Sequence, residues 1–234
     1  VAGLTNRVLA RVADRVFEAF PGSFAPAVRA RRIGNPVRAD IVAIAPPATR
    51  FAERTGPLRL LVIGGSQGAL KLNRVVPAAL ALIASDRRPV VRHQAGGRHA
   101  EQTQAAYREH DVAGSVEPFI EDMAAAYGWA DFIVCRAGAL TVSEIAAAGL
   151  PAIFVPFAAA VDDHQTRNAA FLVAAGAAVA IPEHELTPER LAAEISQLTA
   201  GGRVALTTMA NRARGLAITD AAARLADACL EVAR

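Results

Sequence analysis

"LRLLVIGGSQGALKLN", residues 58–73, carries an apolar run straight into Gly64, Gly65, Ser66, Gln67 and Gly68, and then into a helical pattern. A strand that ends in a glycine-rich turn and restarts as a helix is the opening unit of a parallel α/β sheet. Gly64 and Gly65 let the backbone turn tightly, Gly68 lets the helix approach the strand, and unbonded helix N–H groups face the gap. Ser66 adds a hydroxyl donor. Such a turn suits an anion such as phosphate, and it serves equally as a plain strand-to-helix connection. It is not a Walker A sequence, since no Gly-Lys-Ser/Thr closes it, and it lacks the G-x-G-x-x-G order of a dinucleotide site.

Moving outward, β-rich runs alternate with helical patterns. Strands are expected at 58–63, 89–93, 112–118, 132–135, 152–155 and 177–181, and helices near 68–84, 98–110, 120–127, 140–148 and 163–175. Several strands are almost wholly apolar, as required when both faces are buried. The fold class is therefore α/β, a parallel sheet with helices on both faces. The ends depart from this alternation. Residues 4–20, with Leu4, Val8, Val12, Val16 and Phe20, are expected to form an amphipathic helix with no strand to cover. The final "TDAAARLADACLEVAR" is a second such helix. Both read as pieces of a further domain that is mostly absent, and the lack of a starting Met agrees with that expectation.

In an open parallel sheet, ligands bind at the carboxyl ends of the strands, where loops and helix N-termini gather. After the successive strands come "GGSQGA", "HQAGG", "FIEDM", "RAGALTVSE" and "PFAAAVDDHQTRN", so the unusual polar and glycine residues share one edge. In "RAGALTVSE", Thr141-x-x-Glu144 has the form of a capping box, with Thr141 as N-cap. The other reading puts the Glu144 carboxylate on the two hydroxyls of a ribose. "DDHQTRN" reads as a helix start capped by Asp162 or Asp163, with Gln165 able to donate and accept toward sugar hydroxyls. His93 reads as a packed, hydrogen-bonded histidine. None of the five histidines has metal-site spacing, and no Asp-x-Asp pair is present to hold a nucleotide-bound metal.

Bulk properties exclude several classes. The 234 residues and 53% hydrophobic content allow one large or two small domains with a real core. No run approaches the roughly 18 to 20 apolar residues of a membrane span, and no signal-peptide pattern opens the chain. Cys135 and Cys229 match no metal or redox spacing, so a reduced cytosolic setting is the simplest expectation. The net charge of +3 comes from dispersed arginines, Lys71 being the only lysine, and one Trp and two Tyr offer little to stack on bases. A nucleic-acid partner is not expected.

Taken together, "GNPVR", "GGSQGA", "HQAG", "EPFIEDMAAAYGWAD", "CRAGALTVSEIAAAGLPAIFVPF" and "DHQTRNA" closely resemble the MurG family over almost the whole chain, in the same order. These bacterial N-acetylglucosaminyltransferases convert the undecaprenyl-linked muramyl-pentapeptide lipid I into lipid II. The resemblance implies the carboxyl-terminal half of a GT-B fold, with two Rossmann-like domains in the complete protein. Residues 1–34 would be the tail of the amino-terminal domain, 35–57 a linker, 58–215 the UDP-sugar-binding domain and 216–234 a helix returning to the first domain.

The same resemblance implies the donor contacts. Ser66 would meet the diphosphate of UDP-N-acetylglucosamine, helped by Arg38 near the phosphate or the sugar, with Gln67 and Gly68 also donor-binding. The Ile120 backbone would read the uracil edge. Ala139, Leu140, Thr141, Val142, Ser143 and Glu144 would surround the nucleotide, with Glu144 on the ribose, and Gln165 would hold the sugar. The family implies inverting transfer without cofactor or metal, with the catalytic base in the amino-terminal domain and hence no catalytic residue in this chain. It also implies a peripheral location at the cytoplasmic face of the inner membrane, with lipid I bound through the other domain. The rival reading is a UDP-sugar-binding subunit without chemistry of its own, and a sugar epimerase of the same fold is a weaker one.

Overall fold

A computed structural model describes residues 2–65, 69–157 and 163–232. In chain order the elements are α1 (Leu4–Leu9), β1 (Phe17–Glu18), β2 (Arg31–Arg32), α2 (Ala39–Val42), α3 (Pro47–Ala52), β3 (Arg59–Ile63), α4 (Leu70–Ala81), β4 (Val90–Gln94), α5 (Ala100–Glu109) and β5 (Ser115–Glu117). There follow α6 (Met123–Trp129), β6 (Phe132–Cys135), α7 (Ala139–Ala148), β7 (Ala152–Phe154), α8 (His164–Val173), β8 (Ala178–Ala180), α9 (Pro188–Thr199), α10 (Gly202–Gly215) and α11 (Ala221–Val232).

The strands β3 to β8 form one parallel sheet in the order β5-β4-β3-β6-β7-β8. The chain builds outward from β3 to one edge, then returns to start again at β6 beside β3. That reversal is the topological switch point of a doubly wound sheet, and a crevice opens there at the carboxyl ends of the strands.

Side-chain alternation along β3 divides the core in two. Leu61 and Ile63 join Ile133, Cys135 and Phe154 on one face, under α2, α6, α7 and α8. Leu60 and Val62 join Phe132, Val134 and Ile153 on the other, under α4, α5 and α9. The helix α10 closes one flank by giving Ala213 to the first cluster and Leu206 and Ala210 to the second. The start of α9 follows from "LTPER": the Thr187 hydroxyl accepts from the Arg190 N–H, and Pro188 takes the first helical position.

The amino terminus corrects one expectation. The helix predicted over 4–20 ends at Leu9, and Phe17–Glu18 pair in parallel with Arg31–Arg32. A spacing of four drifts about 40° per step around a helix of 3.6 residues per turn, so the apolar residues do not share one face. Val12 is 82% exposed and Leu4 is 70% exposed, whereas Phe20 turns back into the first core cluster against Phe171.

At the edge of the sheet opposite the crevice, buried Asp131 accepts from the Arg59 N–H at 3.0 Å and from Arg203 Nη2 at 2.9 Å, and pairs with Arg54. The C-terminal end of α7 is fixed by Arg50, which donates to the carbonyls of Ala148 at 2.7 Å and Gly149 at 2.8 Å. Burial pushes the Arg50 guanidinium pKa down to about 10, with the nearby Arg54 and Arg214 charges acting in the same direction. Gly149 has φ +62, and a Cβ there would stand 2.6 Å from Pro47 Cγ. The α7 helix is thus held from behind, with its N-terminus toward the crevice.

Candidate functional site

The crevice at the switch point holds a cavity of about 660 Å³ between the loop after β3 and the loop after β6. Gly64 and Gly65 form one wall with Lys71 at the start of α4, and Arg136, Gly138, Thr141 and Gln165 face them. Gly65 has φ +83, a conformation that favours glycine, so the chain can leave β3 at this angle. The first intrahelical bonds of α4 and α7 are Asn73 N–H to the Ala69 carbonyl and Val142 N–H to the Gly138 carbonyl. Among the described residues, the N–H groups of residues 70–72 and 139–141 therefore lack helical acceptors, and the two positive dipole ends meet at one cavity. That is an anion site in form.

The two walls are fastened from behind. His93 is buried at the end of β4, its Nε2–H donating to Asn73 Oδ1 at 3.1 Å and its Nδ1 accepting from the Tyr107 hydroxyl at 3.0 Å. Asn73 Nδ2 donates to the Ala95 carbonyl at 2.9 Å, which ties α4 to the β4 loop. Burial lowers the His93 pKa to about 3, so the ring is neutral in its single satisfied tautomer. His93 is thus a packing residue, as the sequence suggested. Burial likewise pushes the Cys135 thiol up, away from nucleophile chemistry.

The capping-box reading of Thr141 and Glu144 is overturned. Gly138 is the N-cap of α7, Thr141 lies inside the first turn, and Glu144 sits a further turn along. Its carboxylate accepts from the Tyr127 hydroxyl at 2.9 Å, and Arg38 Nε stands 3.9 Å from the other oxygen. Tyr127 is buried, and its pKa is pushed up by that burial first and then by the Glu144 charge. Asn35 donates to the Ser143 hydroxyl at 3.0 Å, bringing the "GNPVR" segment onto α7.

The other candidate residues divide clearly. Ala139 and Leu140 are exposed at the α7 N-terminus, Ser143 is half-buried, and the Val142 side chain is buried in the core while its N–H donates to the Gly138 carbonyl. Ile120 is buried as a side chain, and among the described residues its backbone N–H and C=O have no hydrogen-bond partner. Gln165 lies in the first turn of α8, with its Oε1 accepting from the N–H groups of Ala137 at 3.2 Å and Phe157 at 3.0 Å. Asp163 occupies the N-cap of α8, but its carboxylate accepts from the Thr166 hydroxyl at 2.6 Å and caps no backbone N–H. Ser66, Gln67, Gly68 and Asp162 lie outside the described residues.

Sequence reasoning missed Tyr127, Asn35 and Arg136. Their partners are 17, 108 and 47 residues away, so no local spacing announces them. Among the described residues no three His, Cys, Asp or Glu side chains group closely enough to hold a metal ion. No helix among them is long and apolar enough to cross a membrane.

Comparison with known proteins agrees with this geometry. A protein of Marinobacter nauticus named UDP-N-acetylglucosamine--N-acetylmuramyl-(pentapeptide) pyrophosphoryl-undecaprenol N-acetylglucosamine transferase is 54% identical over all of this chain and 64% of its own length. A protein of the same name from Alkalilimnicola ehrlichii is 55% identical over all of this chain and 65% of its own. The crystal structure of Acinetobacter baumannii MurG superimposes with a TM-score of 0.88 at 41% identity, covering 99% of this chain and 64% of that one. The chain thus spans just under two thirds of the length of the curated relatives it matches. The profile described as "Glycosyltransferase family 28 C-terminal domain" matches residues 59–225, the whole sheet and the helices around it, and the chain belongs to that family.

Proposed function

We propose that this chain is the donor-binding part of an enzyme that transfers N-acetylglucosamine from UDP-N-acetylglucosamine to lipid I, giving lipid II. The observation that carries the reading is the switch-point cavity. Two helix N-termini converge there, with the Gln165 carboxamide beside them. The Glu144 carboxylate lies one turn further along α7, paired with Arg38. The names of the full-length relatives supply donor and acceptor.

In this reading the diphosphate lies across the N-termini of α4 and α7, and Ser66, Gln67 and Gly68 contribute to its binding. Arg38 stands beside the phosphates. The ribose hydroxyls donate to Glu144, and the free backbone of Ile120 reads the uracil edge. The backbone and first turn of α7, from Ala139 to Ser143, line the nucleotide, and Gln165 donates to the sugar. The acceptor hydroxyl attacks the anomeric carbon from the opposite side, so configuration inverts and UDP leaves. Charge growing on the departing diphosphate meets preorganised N–H donors and helix dipoles, which need no reorganisation during the step.

The general base that the attack requires and the lipid I site belong to the remaining part of the longer relatives' length. Leu4, Val8, Leu9 and Val12 in residues 1–34, and Leu230 and Val232 in 216–234, are exposed apolar residues, and in this reading they are the surface turned toward that part. Residues 35–57 connect it to the sheet. An undecaprenol-linked acceptor puts the complete enzyme at the cytoplasmic membrane surface.

Calorimetry with UDP and UDP-N-acetylglucosamine tests the assignment. Heat of binding for both is expected from the folded chain, with no sugar transfer to lipid I by this chain alone. A folded sample that gives no heat with either nucleotide overturns it.

A further inference from the structure

Arg136 is the first residue after β6 and is only 15% exposed as a side chain. Its guanidinium reaches two segments that the sequence keeps apart, the 155–157 loop and the turn at Glu183. Nη1 donates to the Val155 carbonyl at 3.1 Å and to the Pro156 carbonyl at 3.5 Å, in the loop that follows β7. Nη2 pairs with the Glu183 carboxylate, in the turn after β8. The guanidinium carbon lies 5.2 Å from the centre of the Phe157 ring. A planar fork that bonds and stacks at once is a task for arginine that lysine cannot reproduce.

The consequence falls on Gln165. Its Oε1 accepts from Phe157 N–H and Ala137 N–H, so one donor belongs to the loop that Arg136 holds and the other to the residue next to Arg136 in the chain. With the oxygen doubly engaged, the carboxamide cannot flip without breaking two hydrogen bonds, and its NH₂, which has no hydrogen-bond partner among the described residues, is the end left for an incoming acceptor. Glu183 also braces the opposite wall: the Lys71 ammonium at the start of α4 donates to its backbone carbonyl. One residue thus links the wall behind the glycine turn to the wall that carries Gln165, and all four side chains line the same cavity.

We propose that Arg136, paired with Glu183, is a positioning residue for the donor sugar: it holds the 155–157 loop so that the Gln165 amide N–H groups face the sugar. The proposal rests on the donor-site reading above. Arg136 then governs how much the sugar adds to nucleotide affinity, and leaves the nucleotide itself alone.

The test is calorimetry on the full chain with UDP and UDP-N-acetylglucosamine, comparing wild type with Arg136→Lys, Glu183→Gln and Gln165→Ala, and with Arg136→Lys combined with Gln165→Ala. Each single variant is expected to lower UDP-N-acetylglucosamine affinity relative to UDP by about threefold to tenfold, the worth of one neutral hydrogen bond, with UDP affinity held within about twofold. In the combined variant the ratio should fall no further than in Gln165→Ala, because both changes act through the same amide. Equal loss of both nucleotides would mean that Arg136 touches the diphosphate directly, and overturns the proposal. An unchanged ratio, or additive losses in the combined variant, overturns it too. Should Arg136→Lys fail to fold, Glu183→Gln leaves the backbone contacts of the arginine in place and decides the matter by the same ratio. Wild type that binds neither nucleotide refutes the donor-site reading itself, an outcome distinct from the other three.

Discussion

Glu144→Gln separates a carboxylate that holds ribose from one that merely holds the fold. In the free chain Glu144 is 20% exposed and its ion-pair partner Arg38 is 51% exposed, at 3.9 Å. A pair that open to solvent contributes about 0 to 1 kcal/mol. The stronger contact, from the buried Tyr127 hydroxyl at 2.9 Å, survives because a glutamine carbonyl still accepts. The folding cost should therefore stay below about 1 kcal/mol. Binding is different, because two ribose hydroxyls donate to the carboxylate, and hydrogen bonds to charged groups contribute about 1.5 to 3 kcal/mol against 0.5 to 1.5 for neutral ones. Losing the charge should cost about 1 to 3 kcal/mol, a UDP complex weaker by about 5-fold to about 150-fold. Calorimetry gives the affinity and urea unfolding the stability. UDP lacking both ribose hydroxyls supplies the control, since it should bind wild type and variant alike. A variant that loses stability while keeping its UDP affinity would show that Glu144 serves the fold alone. Tyr127→Phe is the companion: it keeps the charge but frees the carboxylate to rotate, so UDP affinity should fall only a few-fold.

Two further predictions concern the frame. The His93 pKa lies near 3 in the folded chain against an ordinary value of 6.5, so below pH 6.5 the unfolded chain takes up a proton that the folded chain refuses. Stability should fall between pH 6.5 and 3 by up to about 1.4 kcal/mol per pH unit from this group, and a pH series of urea melts on wild type and His93→Gln should show the shallower slope in the variant. Asp131→Asn leaves Arg54 and Arg203 without their buried counter-charge, at a cost of about 3 to 5 kcal/mol. Because Asp131 lies at the far edge of the sheet, whatever folds should bind UDP as wild type does, and calorimetry below the melting temperature checks this.

The strand-helix alternation was legible because apolar strand runs and glycine turns are local signals. All six strands of the sheet fall within the expected segments to about a residue, except β5, which is shorter, and β4, which extends through Gln94. Residues 188–215 were harder, since α9 and α10 follow one another with no strand between them to punctuate the pattern. The amino-terminal helix was misread because hydrophobic residues four apart resemble a stripe until their drift around the helix is counted. At Thr141 the error was of another kind. T-x-x-E is a capping signature only when a helix starts at the threonine, and here Gly138 starts it three residues earlier.

That last shift bears on how the site works. A capping box would fold Glu144 back onto its own helix start and remove it from any ligand. Starting α7 at Gly138 instead leaves the N–H groups of residues 139–141 without helical acceptors at the cavity and moves Glu144 a full turn along, where Tyr127 engages one oxygen and the other, 3.9 Å from Arg38 Nε, makes no hydrogen bond with it. The same division recurs at Gln165, whose oxygen is engaged by backbone while its nitrogen is left to the cavity. In both side chains one part is spent on orientation and another is kept for the ligand. Orientation of this sort depends on residues distant in the chain, such as Tyr127 for Glu144 and Arg136 for the loop beside Gln165, and so could be found only in the fold. A ligand that meets such groups loses less freedom in ordering them, which is the physical advantage of mounting a binding site on strand ends whose loops are already tied down.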